Sequence, residues 1–236
     1  DALLCAAGLP RLAALRVSNL SREQLDLLGP WPASRSAIPV TRRSGNLPVQ
    51  LTTFVGRDAE LSELVAALRM PNARLVTLAG EGGSGKSRLA LRAAETLRLS
   101  FPDGIWLVEL DTLADPALVP SAVASVLGLM EDKSRPLADT LAGFLANRRA
   151  LLLLDNCEHL LDAVAALVGR LLHHCPHLLI LTTSRERLGV SGETLWPVPA
   201  MALPPPDVAD PAELIGYDAV RLFVERHAAA LPGFAL

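Results

Sequence analysis

The chain has 236 residues and a formal net charge of −3, and it is 50% hydrophobic but only 4% aromatic. That length holds one ordinary domain with extensions or two small ones, and the near-neutral balance argues against a protein that grips nucleic acid by bulk positive charge. A 20% charged fraction beside this much apolar content excludes wholesale disorder and allows a buried core. Only two of the 22 basic residues are lysines, Lys86 and Lys133, so a motif that requires Lys stands out against an arginine background. No apolar stretch reaches the roughly 18 residues of a transmembrane helix, and the longest charge-free one, 116–130, holds two prolines and two serines. The start, Asp1-Ala-Leu-Leu-Cys5, lacks an initiator Met and a basic leader, which reads as a cut from a longer polypeptide rather than a signal peptide. Three scattered cysteines, Cys5, Cys157 and Cys175, form no disulfide framework. A cytoplasmic protein with no membrane partner is expected.

Residues 1–50 read as an upstream-domain remnant and linker. Ser21-Arg-Glu-Gln24 has capping-box spacing before a short helix ending near Leu28-Gly29. Pro30, Pro32, Pro39 and Pro48, mixed with Ser, Arg and Gly45-Asn46, then mark a connector. Next, Leu61, Leu64, Val65 and Leu68 recur at helical spacing, closed by Pro71-Asn72. The apolar run 75–79 predicts a buried strand followed at once by glycines, and 87–99 returns to a helical period. A second strand is expected at 105–108, a helix over 116–129 with Pro120 near its first turn, and another helix over 137–147. The run 150–154 is the clearest buried strand, 159–174 reads as a helix and 178–181 as a fourth strand. Residues 194–198 offer a fifth, which Pro197 confines to an edge or an interruption. Short apolar strands alternating with helices predict a parallel sheet covered on both faces. Pro204-Pro-Pro206 breaks the pattern, and a helix over 217–230 follows outside the sheet.

Between the first strand and the following helix lies Gly80-Glu81-Gly82-Gly83-Ser84-Gly85-Lys86-Ser87, which matches the phosphate-binding pattern G-x-x-x-x-G-K-[ST] in its required context. Gly82, Gly83 and Gly85 let the backbone turn successive N–H groups toward phosphate oxygens. The N-terminus of the helix adds free N–H groups and partial positive charge. Lys86 can reach the β- and γ-phosphates, and the Ser87 hydroxyl can join a Mg²⁺ shell; Arg88 follows within reach of the loop. With this composition a chance match is expected in roughly one such sequence per thousand for that pattern.

Four leucines lead into Asp155 at the end of a buried strand, where a carboxylate meets the Mg²⁺ shell beside a phosphate loop. The next residue is Asn156 rather than Glu. Glu158 either orients a water or sits in the first turn of the next helix, favoured by its dipole. The fourth strand leads into Thr182-Thr-Ser-Arg185, and parallel strands deliver their C-terminal ends to one crevice, so Arg185 is placed to read a γ-phosphate, with Arg187 the solvated competitor. His173-His174-Cys175-Pro176-His177 lacks a second ligand pair and reads as a helix terminus. Cys157 and His159 read as local structure.

These motifs, with Phe54-Val-Gly-Arg57-Asp-Ala-Glu60 before them and Glu186-Arg-Leu188 after them, resemble the STAND ATPases. The nearest likeness is the NB-ARC-like module of bacterial regulators fused to LuxR-type, SARP-type or cyclase domains, over about residues 46–236. The resemblance implies a P-loop NTPase fold, a three-layer α/β/α sandwich with a mainly parallel five-stranded sheet, followed by the start of a helical lid. It implies ATP/ADP with Mg²⁺ as cofactors. Val55, Gly56 and Arg57 would lie against adenine and ribose with Glu60 supporting the turn, Gly80–Arg88 against phosphates, Ser87 and Asp155 on the metal, and Arg185 on the γ-phosphate. Residues alone would make Gly56-Arg57 a helix lead-in. The resulting layout is 1–50 remnant and linker, 51–203 nucleotide-binding domain, and 204–236 linker and first lid helix; the Gly-x-Pro motif and winged helix of the family are not among these residues. A slow ATPase switch is expected, with Lys86, Asp155, Glu158 and Arg185 as its catalytic set, self-associating in the full-length protein and meeting DNA only through another domain. A fast AAA+-like ATPase or nucleotide kinase, and a non-hydrolysing scaffold, are the alternatives.

Overall fold

In a computed structural model of the chain, residues 45–131, 134–208 and 210–231 are described. The expected helix at 21–29, the prolines at 30, 32 and 39, Cys5 and Lys133 lie outside them. Five strands, β1 (Leu75–Ala79), β2 (Ile105–Glu109), β3 (Leu151–Asp155), β4 (Leu179–Ser184) and β5 (Glu193–Pro197), form one sheet in the order β2-β3-β4-β1-β5. Every pairing is parallel. The helices are α1 (Asp58–Leu68), α2 (Lys86–Thr96), α3 (Val119–Val126), α4 (Leu137–Leu145), α5 (Leu161–His174), α6 (Pro211–Leu214) and α7 (Asp218–Ala230).

The leucine run of β3 explains the layering. Successive side chains alternate between faces, so Leu151 and Leu153 join the core beneath α1 and α2, while Leu152 and Leu154 join the core beneath α3, α4 and α5. All four leucines of β3 are buried, as expected of a parallel strand covered on both faces. On α2 the buried positions Lys86, Leu89, Ala90, Ala93 and Ala94 follow the helical period, and the alanines let the helix lie close to the sheet. β5 is a mostly exposed edge, where Pro197 removes no ladder hydrogen bond that matters. On the opposite edge, Gly45 bridges to Ile105, and the Asn46 amide accepts from the Leu107 N–H at 2.6 Å and donates to its carbonyl at 2.8 Å. A pair that reads as linker in the sequence thus lies alongside β2.

Element ends differ from expectation for local reasons. The helix expected over 116–129 is a 3₁₀ turn, Pro116–Leu118, followed by α3, which stops at Val126. There the N–H groups of Gly128 and Leu129 take the carbonyls of Ser125 and Ala124, a paired closure that ends a helix. α5 starts at Leu161 because Asn156 is left-handed (φ 67°) and a 3₁₀ turn, Cys157–His159, intervenes. β4 runs three residues past its apolar run, through Thr182-Thr183-Ser184, all buried. Thr182 stands opposite Thr77 in the β1–β4 register, and their hydroxyls bond each other at 2.8 Å, which satisfies two buried polar groups. Among the described residues no helix is long and apolar enough to cross a membrane.

Candidate functional site

Adjacent strands β3, β4 and β1 deliver their C-terminal ends side by side. β1 ends at Ala79, the loop 80–85 follows, and α2 opens at Lys86. Gly83 (φ 77°) and Gly85 (φ 86°) are left-handed, a conformation that costs an L side chain about 1 kcal/mol or more. A Cβ at either would meet nothing within 4 Å, so the need for glycine is conformational and the space beside the loop is open. Lys86 is buried to 7% exposure, and its Nζ donates to the Gly80 and Glu81 carbonyls at 2.9 Å each, which folds the ammonium back over the loop. The Ser84 hydroxyl is buried without a hydrogen-bond partner, and Ser87 is half-buried in the first turn of α2. Arg88 turns away: its Nη2 donates to the Thr52 carbonyl and hydroxyl and to the Thr53 carbonyl.

Asp155 ends β3 half-buried, and its Oδ1 accepts from the Thr183 hydroxyl. The same hydroxyl oxygen accepts from the Asn156 N–H at 2.9 Å. This relay fixes the rotation of the carboxylate, and Thr183 is a site residue the sequence reading did not single out. Its signal was present in the Thr pair at the end of β4, which is polar where a buried strand is apolar.

Arg185 follows β4, two-thirds exposed, and its Nε donates to Glu158 Oε1 at 3.2 Å. The guanidinium also lies against the phosphate loop, with Nη2 3.7 Å from where a Cβ on Gly82 would stand. Glu158 Oε2 is buried with no hydrogen-bond partner. Arg187 is exposed. Cys157 packs in the core with its thiol on the Leu154 carbonyl, and burial first, then the charges of Asp155 and Glu158, raise its pKa far above the usual thiol range. His159 bonds the Leu113 carbonyl at 2.9 Å. His173 and His174 stack edge to face at the exposed end of α5, while Cys175 is buried against the Ala142 carbonyl.

Val55, Gly56 and Arg57 precede α1, with Glu60 in its first turn. Gly56 (φ 67°) and Arg57 (φ 61°) are both left-handed. The Arg57 side chain is 6% exposed; Nη2 donates to the Pro199 carbonyl at 2.8 Å, and Nη1 is buried without a hydrogen-bond partner. Beside the turn is a cavity of about 330 Å³ lined by Val55, Ile215, Arg221, Val224 and Glu225. The structure therefore brings the loop 80–87, Asp155, Glu158 and Arg185 together, places 55–57 beside a separate cavity bordered by α7 and Ile215, and turns Arg88 toward Thr52 and Thr53.

The chain has relatives among known proteins. The chain is 44% identical over 163 residues to a candidate HTH-type transcriptional regulator of Mycobacterium tuberculosis, a match covering 69% of this chain and 17% of that protein. It is 31% identical over 214 residues to the regulatory protein AfsR of Streptomyces coelicolor, covering 84% of this chain and 21% of AfsR. Among solved structures, a Signal Transduction ATPase with Numerous Domains protein with a tetratricopeptide repeat sensor, from Pyrococcus horikoshii, aligns with a TM-score of 0.47 at 19% identity, over 77% of this chain and 28% of that one. The chain spans less than half the length of the curated relatives it matches. Residues 57–192 match the NB-ARC domain, from just inside the Val55–Arg57 turn to the residue before β5, and the chain belongs to the NB-ARC domain family.

Proposed function

We propose that this chain is the ATP/ADP-binding switch module of a larger regulatory protein, a slow ATPase whose conformation follows the bound nucleotide. The observation that carries the proposal is the convergence of three groups at the ends of β1, β3 and β4: the open glycine loop with Lys86, the oriented Asp155 carboxylate, and the Arg185 guanidinium against Gly82. The residues fit a nucleoside triphosphate with Mg²⁺. The space beside Gly83 and Gly85 is open, and Ser87 and Asp155 are hard oxygen donors. Two protein oxygens suit an ion that keeps waters and completes its shell with phosphate oxygens. Mg²⁺, when bound, neutralises phosphate charge as it develops.

The chain's own residues do the rest. Lys86 exchanges its two loop carbonyls for phosphate oxygens, a charge-assisted contact that no neutral side chain replaces. The Thr183 hydroxyl holds Asp155 in one rotamer, so the carboxylate needs little reorganisation on binding. Arg185 leaves or shares Glu158 to meet the terminal phosphate, which makes the presence of that phosphate a conformational signal. Val55, Gly56 and Arg57 would hold the base and ribose. Slow turnover follows from the surroundings of the nucleophile. The residue after Asp155 is Asn156, whose amide cannot take a proton from an attacking water, and Glu158 has an oxygen buried without a hydrogen-bond partner. Self-association, and DNA contact through a domain elsewhere in the whole protein, belong to the same reading, as does a cytoplasmic location. Steady-state ATP hydrolysis tests it: turnover well below one per second is expected, and many turnovers per second would identify a fast ATPase instead.

A further inference from the structure

The helix α7 meets the 52–57 segment at two points. Asp218, its first residue, accepts the Arg57 main-chain N–H on Oδ2 at 3.2 Å, and Arg221 Nη1 holds Oδ1 at 2.9 Å. Farther along, Arg226 Nη2 donates to the Thr53 carbonyl at 3.0 Å, the same carbonyl that Arg88 of α2 uses. The first contact has no slack, since a Cβ on Gly56 would lie 2.4 Å from Asp218 Cγ and Oδ2. Arg57, the N-cap of α1, gives that helix no side-chain cap. The Asp218 carboxylate thus sits by a helix N-terminus, where negative charge is favoured. The cavity beside Val55 has its other wall on α7 and the residue after α6, so the tie between Asp218 and Arg57 spans its two sides.

We infer that Asp218 is a positioning residue whose carboxylate latches α7 onto the Gly56–Arg57 turn, and that this latch holds the cavity beside Val55 in shape for the nucleotide's base. The second half rests on the proposed placement of the base at this turn. The latch is a hydrogen bond to a main-chain N–H, so an amide oxygen at position 218 serves where a methyl does not.

The test uses the 236-residue chain with D218A and D218N, amide exchange over 218–230 read by mass spectrometry, and ADP affinity by calorimetry. D218A is expected to speed exchange in 218–230 by about tenfold and to weaken ADP binding by about fivefold, while D218N stays within about twofold of the native chain in both. Unchanged exchange in D218A overturns the latch, as does loosening in D218N equal to that in D218A. Faster exchange in D218A with unaltered ADP affinity overturns the role in shaping the base cavity. A native chain that binds no ADP refutes the functional reading, and the exchange measurement still decides the latch.

Discussion

Replacing Thr183 by Val keeps the shape of a buried strand residue and removes a single hydroxyl. That hydroxyl donates to Asp155 Oδ1 and accepts from the Asn156 N–H. The substitution therefore leaves a half-buried carboxylate oxygen and a main-chain N–H without their partner. A hydrogen bond to a charged group contributes about 1.5–3 kcal/mol and a neutral one about 1 kcal/mol, so a stability loss of about 2.5–4 kcal/mol is expected. Thr183→Ser keeps the hydroxyl and should recover most of it. The sharper effect falls on metal. Partners that orient a metal-binding carboxylate affect affinity by about 10–100-fold when removed. Nucleotide titrations with and without Mg²⁺ separate the two consequences: T183V should lose most of the gain that Mg²⁺ gives to ATP binding, and T183S should keep it. Equal Mg²⁺ dependence in T183V and the native chain would refute the assignment of Asp155 to the metal, because the carboxylate would then be oriented for some other purpose.

The Glu158–Arg185 pair is solvent-exposed on the arginine side, so its direct contribution to stability is small, about 0.5 kcal/mol or less. Glu158→Gln should barely change the melting temperature yet free the guanidinium, raising the ATP-to-ADP affinity ratio about threefold, as read by competition against a fluorescent nucleotide; an unchanged ratio would place Arg185 away from the terminal phosphate. Burial raises the Cys157 and Cys175 thiol pKa values in the folded chain. The folded state therefore keeps protons that the unfolded chain loses above about pH 8.5, and stability should be level below that pH and fall as pH rises beyond it. Thermal melts between pH 7.5 and 10 should show the decline, with a shallower slope in Cys157→Ala; alkylation of Cys157 in the native chain at pH 8 would contradict the shift.

Much of this architecture is legible in the residues because its signals are local. The leucine run of β3, the glycines before α2 and Pro197 on β5 each specify their own conformation, and strand β1 matches its expected bounds. What escaped depends on contacts between distant residues. Thr182 and Thr183 look too polar for a buried strand, and only the pairing with Thr77 and Asp155 across neighbouring strands satisfies their hydroxyls. The Asp155 position is plain from sequence, but what orients it is 28 residues away. Arg88 sits beside the phosphate motif and reads as part of it, whereas its guanidinium is held by Thr52 and Thr53, carbonyls that no local pattern reveals. Asn46 shows the same effect: its turn-forming type suggested a linker, yet its amide fits the edge of β2.

The most direct test of nucleotide binding at the glycine loop is a calorimetric titration of Mg·ATP into the native chain and into Lys86→Ala. The Lys86 ammonium is already held over the loop by the Gly80 and Glu81 carbonyls, where the proposed phosphates would meet it. Saturable one-to-one binding that weakens by more than about tenfold in the variant is the predicted result. Identical affinity in the two proteins, or no binding to the native chain, would contradict it.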